Sequence, residues 1–532
     1  MKTDERPVIR SLATGVPGLD AVLGGGLPEY SFNLVAGPPG AGKTTMAHQI
    51  MFANATVERP ALYFTVLGEP TLKMLRYQRQ FNFFDPGLAG SAIQFINLSE
   101  EVMEGDLSRV LDRIVGETER IKPGIVVVDS FRPIGGGGVV MDPRGTLGLD
   151  HFIQRLALHL TSWEVTSFLL GEYAEQEQRS PVFTVADGII WLTQATDRNS
   201  VVRKLQVIKS RGKAPMPGLH TFRITDDGLQ IFPRIPEQTR KRKAPKRERL
   251  SSGVPGMDEM IGGGFMAGHA VMLTGPAGSG KSTIGTHFIV AGVKAGEPGV
   301  IAVFEEYPEE YLARAEARGA GAAEMIRSGK LEVIYLRPLD LSVDETLAAI
   351  LDAVKRLGAK RVVIDSLSGF EVALAPTFRE DFRESLYRLV GRLTATGVTV
   401  FMTAEVVEGF SDVRFTTERV SFITDSIIIQ RYVEIEGELR RVMAVIKMRG
   451  SKHSHEFRTY EVTAKGVVVG GALTEYDGII TGNPTLRVKP ATVREGPTAV
   501  QAKPATARVK PAAARAKSSA MRGKPTAKRR GK

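Results

Sequence analysis

Short strand-like runs rich in β-branched residues alternate along this chain with stretches whose apolar positions recur at helical spacing. The strand-like runs are Ala61 to Val66, Gly124 to Val128 and Val165 to Leu170, then Val300 to Phe304, Lys360 to Ile364 and Val398 to Thr403. Leu347, Ile350, Leu351 and Val354 stand at i, i+3, i+4 and i+7, which predicts one apolar face of a helix. Alternating strands and helices predict an α/β fold, with a mostly parallel sheet covered by helices on both faces and ligand sites at the carboxyl ends of strands.

The pattern occurs twice. Gly15-Val-Pro-Gly-Leu-Asp20 followed by Gly24-Gly-Gly-Leu27 returns 238 positions later as Gly253-Val-Pro-Gly-Met-Asp258 followed by Gly262-Gly-Gly-Phe265. The same offset relates Pro70 to Pro308, Asp187 to Asp425, and Lys209-Ser-Arg211-Gly212 to Lys447-Met-Arg449-Gly450. A repeat this long is a duplicated domain, not a solenoid unit. The expected boundaries are a first domain at 1–236, a basic linker at 237–249, a second domain at 250–486 and a tail at 487–532. The linker region Pro236 to Arg249 carries seven basic residues and two prolines and reads as exposed chain.

Composition narrows the function. At 532 residues and 42% hydrophobic, the chain can bury real cores. It has no cysteine, which excludes disulfides, thiolate zinc sites and cysteine nucleophiles. There is no run of about 18 apolar residues and no apolar stretch at Met1 to Pro7, so the expected location is cytoplasmic, without a membrane. The formal charge of +11 is unevenly spread. Residues 487–532 hold fourteen Lys and Arg against the single acid Glu495, a balance of +13, which leaves −2 for the rest. This Lys, Arg, Ala and Pro-rich tail is expected to be disordered. Its spaced cations predict non-specific contact with nucleic acid and nucleoid association, and without aromatics it has no means of stacking on bases.

The chemistry-bearing motif is Gly-x4-Gly-Lys-Ser/Thr, present as Gly37-Pro-Pro-Gly40-Ala-Gly42-Lys43-Thr44 and as Gly275-Pro-Ala-Gly278-Ser-Gly280-Lys281-Ser282. Glycines let backbone N–H groups turn toward phosphates, the lysine reaches the β and γ phosphates, and the hydroxyl of Thr44 or Ser282 ligates Mg²⁺. Thr45 and Thr283 follow in the first helical turn. Two ATP sites with Mg²⁺ are thus expected. Asp129 and Asp365, each ending an apolar strand, supply the second Mg²⁺-side acid. After Phe304 come Glu305 and Glu306, placed to polarise a water near the γ-phosphate. The first half has Leu67 and Gly68 there, with Glu69 one position displaced. This predicts asymmetry, in which the second half hydrolyses and the first mainly binds. His453 and His455 are the only close histidine pair and lack a third ligand at metal-binding spacing.

These features together resemble the KaiC family, double-domain RecA-like ATPases and autokinases of the cyanobacterial clock. The resemblance rests on the two Gly-Val-Pro-Gly openings, both P-loops, Phe304-Glu305-Glu306-Tyr-Pro308, Asp129, Asp365 and the Lys-x-Arg-Gly near each domain's end. The stretch from Ser421-Phe-Ile-Thr-Asp425 to Lys447-Met-Arg449-Gly450 adds specificity. It implies two tandem RecA-like P-loop domains and a homo-hexameric ring with ATP between subunits. It also implies that Lys209, Arg211, Lys447 and Arg449 reach a neighbour's γ-phosphate, as a cation supplied in trans. The family phosphorylates an adjacent serine and threonine, and the matching positions here are Ser421 and Phe422. Phe422 has no hydroxyl, so Ser421 is the expected acceptor, with Thr416 and Thr417 as fallbacks. The expected role is a switch read by a signalling protein. The contrasting expectation is a RecA- or RadA-like nucleic-acid motor tethered by the tail.

Overall fold

In the computed structural model the P-loop strand of the first half, β1 (Phe32–Gly37), leads directly into helix α1 (Lys43–Asn54), which starts at the motif lysine. The other strands of this half are β2 (Ala61–Thr65), β3 (Ile93–Asn97), β4 (Ile125–Asp129), β5 (Thr166–Glu172), β6 (Gly188–Asp197), β7 (Ser200–Ser210), β8 (His220–Thr225) and β9 (Gly228–Phe232). They form one sheet in the order 3-2-4-5-1-6-7-8-9, in which the first six strands are parallel and the last three return antiparallel.

The second half repeats this order. Its strands are β10 (Ala270–Gly275), β11 (Gly299–Val303), β12 (Leu331–Tyr335), β13 (Arg361–Asp365), β14 (Thr399–Glu405), β15 (Ser426–Ile435), β16 (Glu438–Met448), β17 (Arg458–Thr463) and β18 (Gly466–Ala472). Its helices include α2 (Lys281–Lys294), α3 (Val343–Leu357) and α4 (Leu367–Ala373). The sheet runs 12-11-13-14-10-15-16-17-18. The structure describes residues 9–66, 71–103, 107–130, 145–173, 181–197, 200–234, 248–336, 341–374, 378, 382–406, 423–481 and 484–487. Chain contacts separate two units, Met1–Leu486 and Arg487–Lys532, and both repeats lie in the first.

Alternate side chains of each parallel strand enter different cores. Phe32, Leu34 and Ala36 of β1 pack on one face while Val35 packs on the other. In β10, Ala270 and Met272 face one core and Val271 and Leu273 its opposite. Burial on both faces is what a helix-covered parallel sheet requires. The expected stripe on α3 is present, with Leu347, Ile350 and Val354 buried. Among the described residues no helix is long and apolar enough to cross a membrane.

The Gly-Val-Pro-Gly openings have a structural cause. Gly18 has φ +81°, and a Cβ there would stand 2.0 Å from the Ile231 carbonyl oxygen. Gly256 has φ +80° and meets the Val469 carbonyl at 2.8 Å. Each glycine thus lets the opening segment lie against the last strand of its own sheet. Asp20 and Asp258 close the turn by accepting bonds from the backbone N–H of Thr14 and Ser252.

The halves meet through polar groups. Thr221 and Ser342 share a hydroxyl contact at 2.9 Å, Arg223 pairs with Glu345 at 3.1 Å, and Arg234 pairs with Glu384 at 2.8 Å.

One buried group makes the first half sensitive to acid. His48 on α1 packs against Tyr63 with ring centroids 4.5 Å apart and is fully buried. Burial pushes its pKa down to about 4, with the Gln78 side chain opposing this in part. The folded value lies below the ordinary 6.5, so the unfolded chain binds the proton first as pH falls. Its stabilising contribution is complete above pH 6.5 and is lost progressively down to about 4. Both tryptophans, Trp163 and Trp191, lie in the first half. We expect urea unfolding followed by tryptophan fluorescence to show about 2 kcal/mol more loss from pH 7.5 to 5 in the wild type than in His48→Leu. Equal losses in the two proteins would remove His48 as the cause.

Candidate functional site

Each P-loop turns at the carboxyl end of its central strand. Gly42 and Gly280 adopt φ of +97° and +93° immediately before the helix, where a side chain would be strained. Neither glycine offers a capping side chain, so first-turn N–H groups of α1 and α2 are left for an anion. Gly40 and Gly278 also have positive φ. Gly37 and Gly275 instead lie close to the next strand, where a Cβ would meet Leu192 at 2.2 Å or Gln430 at 2.7 Å. Thr45 and Thr283 occupy the first turn of each helix.

The loop lysines are pre-positioned. Lys43 Nζ donates to the carbonyls of Gly37 and Pro38, both at 2.9 Å, and Lys281 Nζ to those of Gly275 and Pro276 at 2.9 and 2.7 Å. An ammonium has three donors, so one remains for phosphate in each half. Burial lowers both lysine pKa values, and nearby carboxylates oppose that shift.

Asp129 and Asp365 end β4 and β13, and the peptide that follows each is cis. In the first half Thr44 Oγ1 donates to Asp129 Oδ2 at 2.8 Å, and the Tyr63 hydroxyl donates to the same oxygen. Burial raises the Asp129 pKa, while these two hydroxyls and Lys43 hold it down. In the second half Asp365 Oδ1 accepts a bond from Thr403 Oγ1 at 2.5 Å. Ser282 stands at the start of α2, the position corresponding to Thr44.

Glu305 and Glu306 follow β11 and have separate partners. Ser366 Oγ donates to Glu305 Oε1 at 2.5 Å while accepting from the Gly369 N–H at 3.0 Å as the cap of α4. Glu305 lies over Gly369, where a Cβ would be 2.5 Å from its Oε1. Glu306 is paired with Arg314. Burial raises the Glu306 pKa and Arg314 counters it. Leu67, Gly68 and Glu69 lie outside the described residues, as do Thr416, Thr417, Ser421 and Phe422.

The Lys-x-Arg pairs are not brought to their own P-loops. Lys209 lies at the level of Leu34, three residues before Gly37, and Lys447 at the level of Met272, three before Gly275. Arg211 and Arg449 lie five residues below those glycines, about 17 Å along a strand. They stand two strands across as well. Arg211 pairs with Asp187 at 2.9 Å and Arg449 with Asp425 at 3.4 Å. Lys447 Nζ donates to the Thr424 carbonyl at 2.6 Å, and Lys209 Nζ to that of Thr184 at 3.0 Å.

Several residues of the site escape sequence reasoning. Glu172 and Glu405 end β5 and β14 and pair in register with Gly37 and Gly275. Their signal was a shared glutamate at matching strand ends. The backing of the P-loops is a second case. In the second half Ser279 Oγ bonds Gln430 at 3.0 Å, Tyr460 OH donates to the Ser279 carbonyl at 2.7 Å, and all three are buried. The first half has buried Ala41, Leu192 and Phe222 at those positions. One loop is held by hydrogen bonds, the other by apolar packing.

Two RecA-like domains in tandem, each presenting a P-loop and an acid at carboxyl strand ends on one rim of its sheet, define a P-loop ATPase with two nucleotide sites. The chain belongs to the KaiC ATPase family, whose sequence model, described as "ATPase: KaiC", matches residues 12–235 and again 250–474. It is similar to the circadian clock oscillator protein KaiC of Parathermosynechococcus lividus, 29% identical over 485 residues, covering 89% of this chain and 87% of that protein. The KaiC of Rippkaea orientalis is 28% identical over 489 residues, covering 90% of this chain and 92% of its own. KaiC 1 of Synechocystis is 28% identical over 492 residues, with 90% and 93% covered.

The polar backing has a measurable effect. Tyr460→Phe with Gln430→Leu leaves the buried Ser279 groups unpaired, at about 1–3 kcal/mol. In a Lys43→Ala background, ATP affinity at the second site is expected to fall about tenfold, measured by titration with a fluorescent ATP analogue. Unchanged affinity would show that the loop keeps its shape without these bonds.

Proposed function

We propose that this chain is an ATP hydrolase working as a homo-hexameric ring, with nucleotide held between subunits, and that it serves as a signalling or timing switch. The observation that carries this is the distance of each P-loop from the Lys-x-Arg pair of its own half. A neighbouring copy supplies Lys447 and Arg449, and likewise Lys209 and Arg211, offsetting transition-state charge in trans. The same surface relation recurs in both halves, as a repeated head-to-tail contact closing into a ring requires. The timing role draws on the similar proteins, which are named as circadian clock oscillators.

Within a site, P-loop N–H groups and Lys43 or Lys281 bind the phosphates. The oxygen donors of Thr44 with Asp129, and of Ser282 with Asp365, suit Mg²⁺, and the 2.8 Å contact between Thr44 and Asp129 supports one ion held by such a pair. Bound there, Mg²⁺ neutralises charge on the β and γ phosphates. Glu305, oriented by Ser366, polarises the attacking water, and Glu306 stands beside it against Arg314. With both carboxylates, the second half is the faster hydrolase. The first chiefly binds nucleotide and supports assembly.

Ser421 is the proposed phosphoacceptor. It precedes Thr424 by three residues, a reach of at most about 11 Å, and the Thr424 carbonyl holds Lys447. Phe422 leaves one acceptor where two would be needed for a two-site cycle. A signalling protein reads the ring, and the tail contacts nucleic acid without sequence preference, in the cytoplasm. The nucleic-acid motor is not favoured, because both halves match the KaiC ATPase and residues 1–486 carry a net charge of only −2.

Incubation with γ-labelled ATP and Mg²⁺ is expected to yield free phosphate and label on Ser421, both lost in Lys281→Ala apart from slow residual release. Free phosphate with no labelled protein would reduce the activity to hydrolysis. Mixing Arg449→Ala subunits with Lys281→Ala subunits is expected to give more turnover than either alone, since some interfaces then pair an intact Lys281 with an intact Arg449. No gain on mixing would exclude action in trans.

A further inference from the structure

Glu172 occupies the one strand end that lies between the two halves of the first phosphate site. In the sheet, β5 runs between β1, which ends at the P-loop, and β4, which ends at Asp129. Glu172 is the last residue of β5 and pairs in register with Gly37, while Leu170 pairs with Asp129. A carboxylate there is flanked by the phosphate-binding lysine on one side and the Mg²⁺-side acid on the other. Its charge is felt on both sides. Glu172 interacts electrostatically with Lys43 and with Asp129.

The second half repeats the arrangement. Glu405 ends β14, pairs with Gly275 and interacts electrostatically with Lys281. There, however, Glu305 and Glu306 also approach the site from the end of β11, on the far side of β13. The first half has Leu67 and Gly68 at the corresponding positions, and among the described residues Glu172 is the carboxylate besides Asp129 that a strand end brings beside its P-loop.

We propose that Glu172 takes the proton from the attacking water in the first half, in place of the acid pair that follows β11 in the second. This rests on the two-site ATPase reading above and goes beyond its division of labour. The water oxygen bonds to the γ-phosphorus as the bond from that phosphorus to the bridging oxygen breaks, and ADP leaves with the electron pair on its terminal oxygen. One water proton passes to Glu172 and then to the released phosphate, which returns the carboxylate to its starting state.

The test isolates the first site with Lys281→Ala in the full chain and measures phosphate release beside binding of a fluorescent ATP analogue. Lys281→Ala is expected to keep release above the floor set by Lys43→Ala with Lys281→Ala. Adding Glu172→Gln is expected to lower that release about 100-fold or to the floor, with nucleotide still bound. Tryptophan fluorescence checks that the first half stays folded, and Glu172→Ala serves as a second variant with the same expectation. Release unchanged by either substitution overturns the proposal, as does its loss in Glu69→Gln alone. Release already at the floor in Lys281→Ala overturns it too, while wild-type turnover leaves the second-site ATPase standing. Absence of release in the wild type would sink the underlying reading instead.

Discussion

A parallel sheet has two chemically different ends, and both halves of this protein are laid out along that polarity. Because β1, β2, β4 and β5 run the same way, their carboxyl ends gather the P-loop, Asp129 and Glu172 on one rim. The antiparallel return through β6 and β7 carries Lys209 and Arg211 back to the opposite rim. The second half does the same with Asp365, Glu405, Lys447 and Arg449. No rotamer change can close a separation of about 17 Å along a strand. The strand order thus sets which charges share a rim with the P-loop and which are held away from it.

On this shared frame the two sites have diverged in their buried polar groups. Asp129 is bonded by Tyr63 and Asp365 by Thr403, whereas the positions matching Tyr63 and Thr403 in the opposite halves are Ile301 and Leu170. His48 corresponds to Thr286, which bonds the Tyr311 hydroxyl at 2.8 Å. The P-loop backing changes at three positions together, from Ala41, Leu192 and Phe222 to Ser279, Gln430 and Tyr460. Such changes travel in sets because a buried polar group without its partner costs more than an apolar replacement of the pair. Divergence by complete exchange lets the two loops keep one backbone on different supports.

The fold was legible where the physics is local. The P-loops, the helices beginning at their lysines and the apolar strands are written in consecutive residues, and the duplication could be read from a constant offset. Strand ends were less so. The run read as Val165 to Leu170 continues to Glu172, and Val398 to Thr403 continues to Glu405. Hydrophobic pattern stops where a strand leaves the core, which is where the chemistry of a parallel sheet begins. Ser366 and Gly369 were hidden for a different reason. Their importance to Glu305 comes from a helix cap and a missing side chain 61 and 64 positions away in sequence, and neither leaves a periodic trace. The Gly-Val-Pro-Gly openings point the other way. They were conspicuous as a repeat, yet their glycines answer to the close approach of each sheet's last strand.

The contact between the halves decides how independently the two sites can work. Among the described residues no apolar cluster spans both repeats, since each sheet has its own pair of cores. Among the described residues the junction includes the Thr221 and Ser342 hydroxyls, Lys204 Nζ over the Phe378 ring at 5.2 Å, and ion pairs that keep solvent access, with Arg223 and Glu345 30% and 22% exposed and Arg234 and Glu384 more so. Exposed pairs of this kind contribute about 0–1 kcal/mol each. They can fix an orientation without welding two cores into one. Ser342 nonetheless caps α3 by accepting the Glu345 N–H at 3.1 Å, and α3 packs on β11, the strand that leads to Glu305. The first half therefore touches the second at the start of a helix that supports the strand leading to Glu305 and Glu306. Weak contacts at that point leave each core free to adjust alone, while any shift of β8 against the helix start bears on the second half.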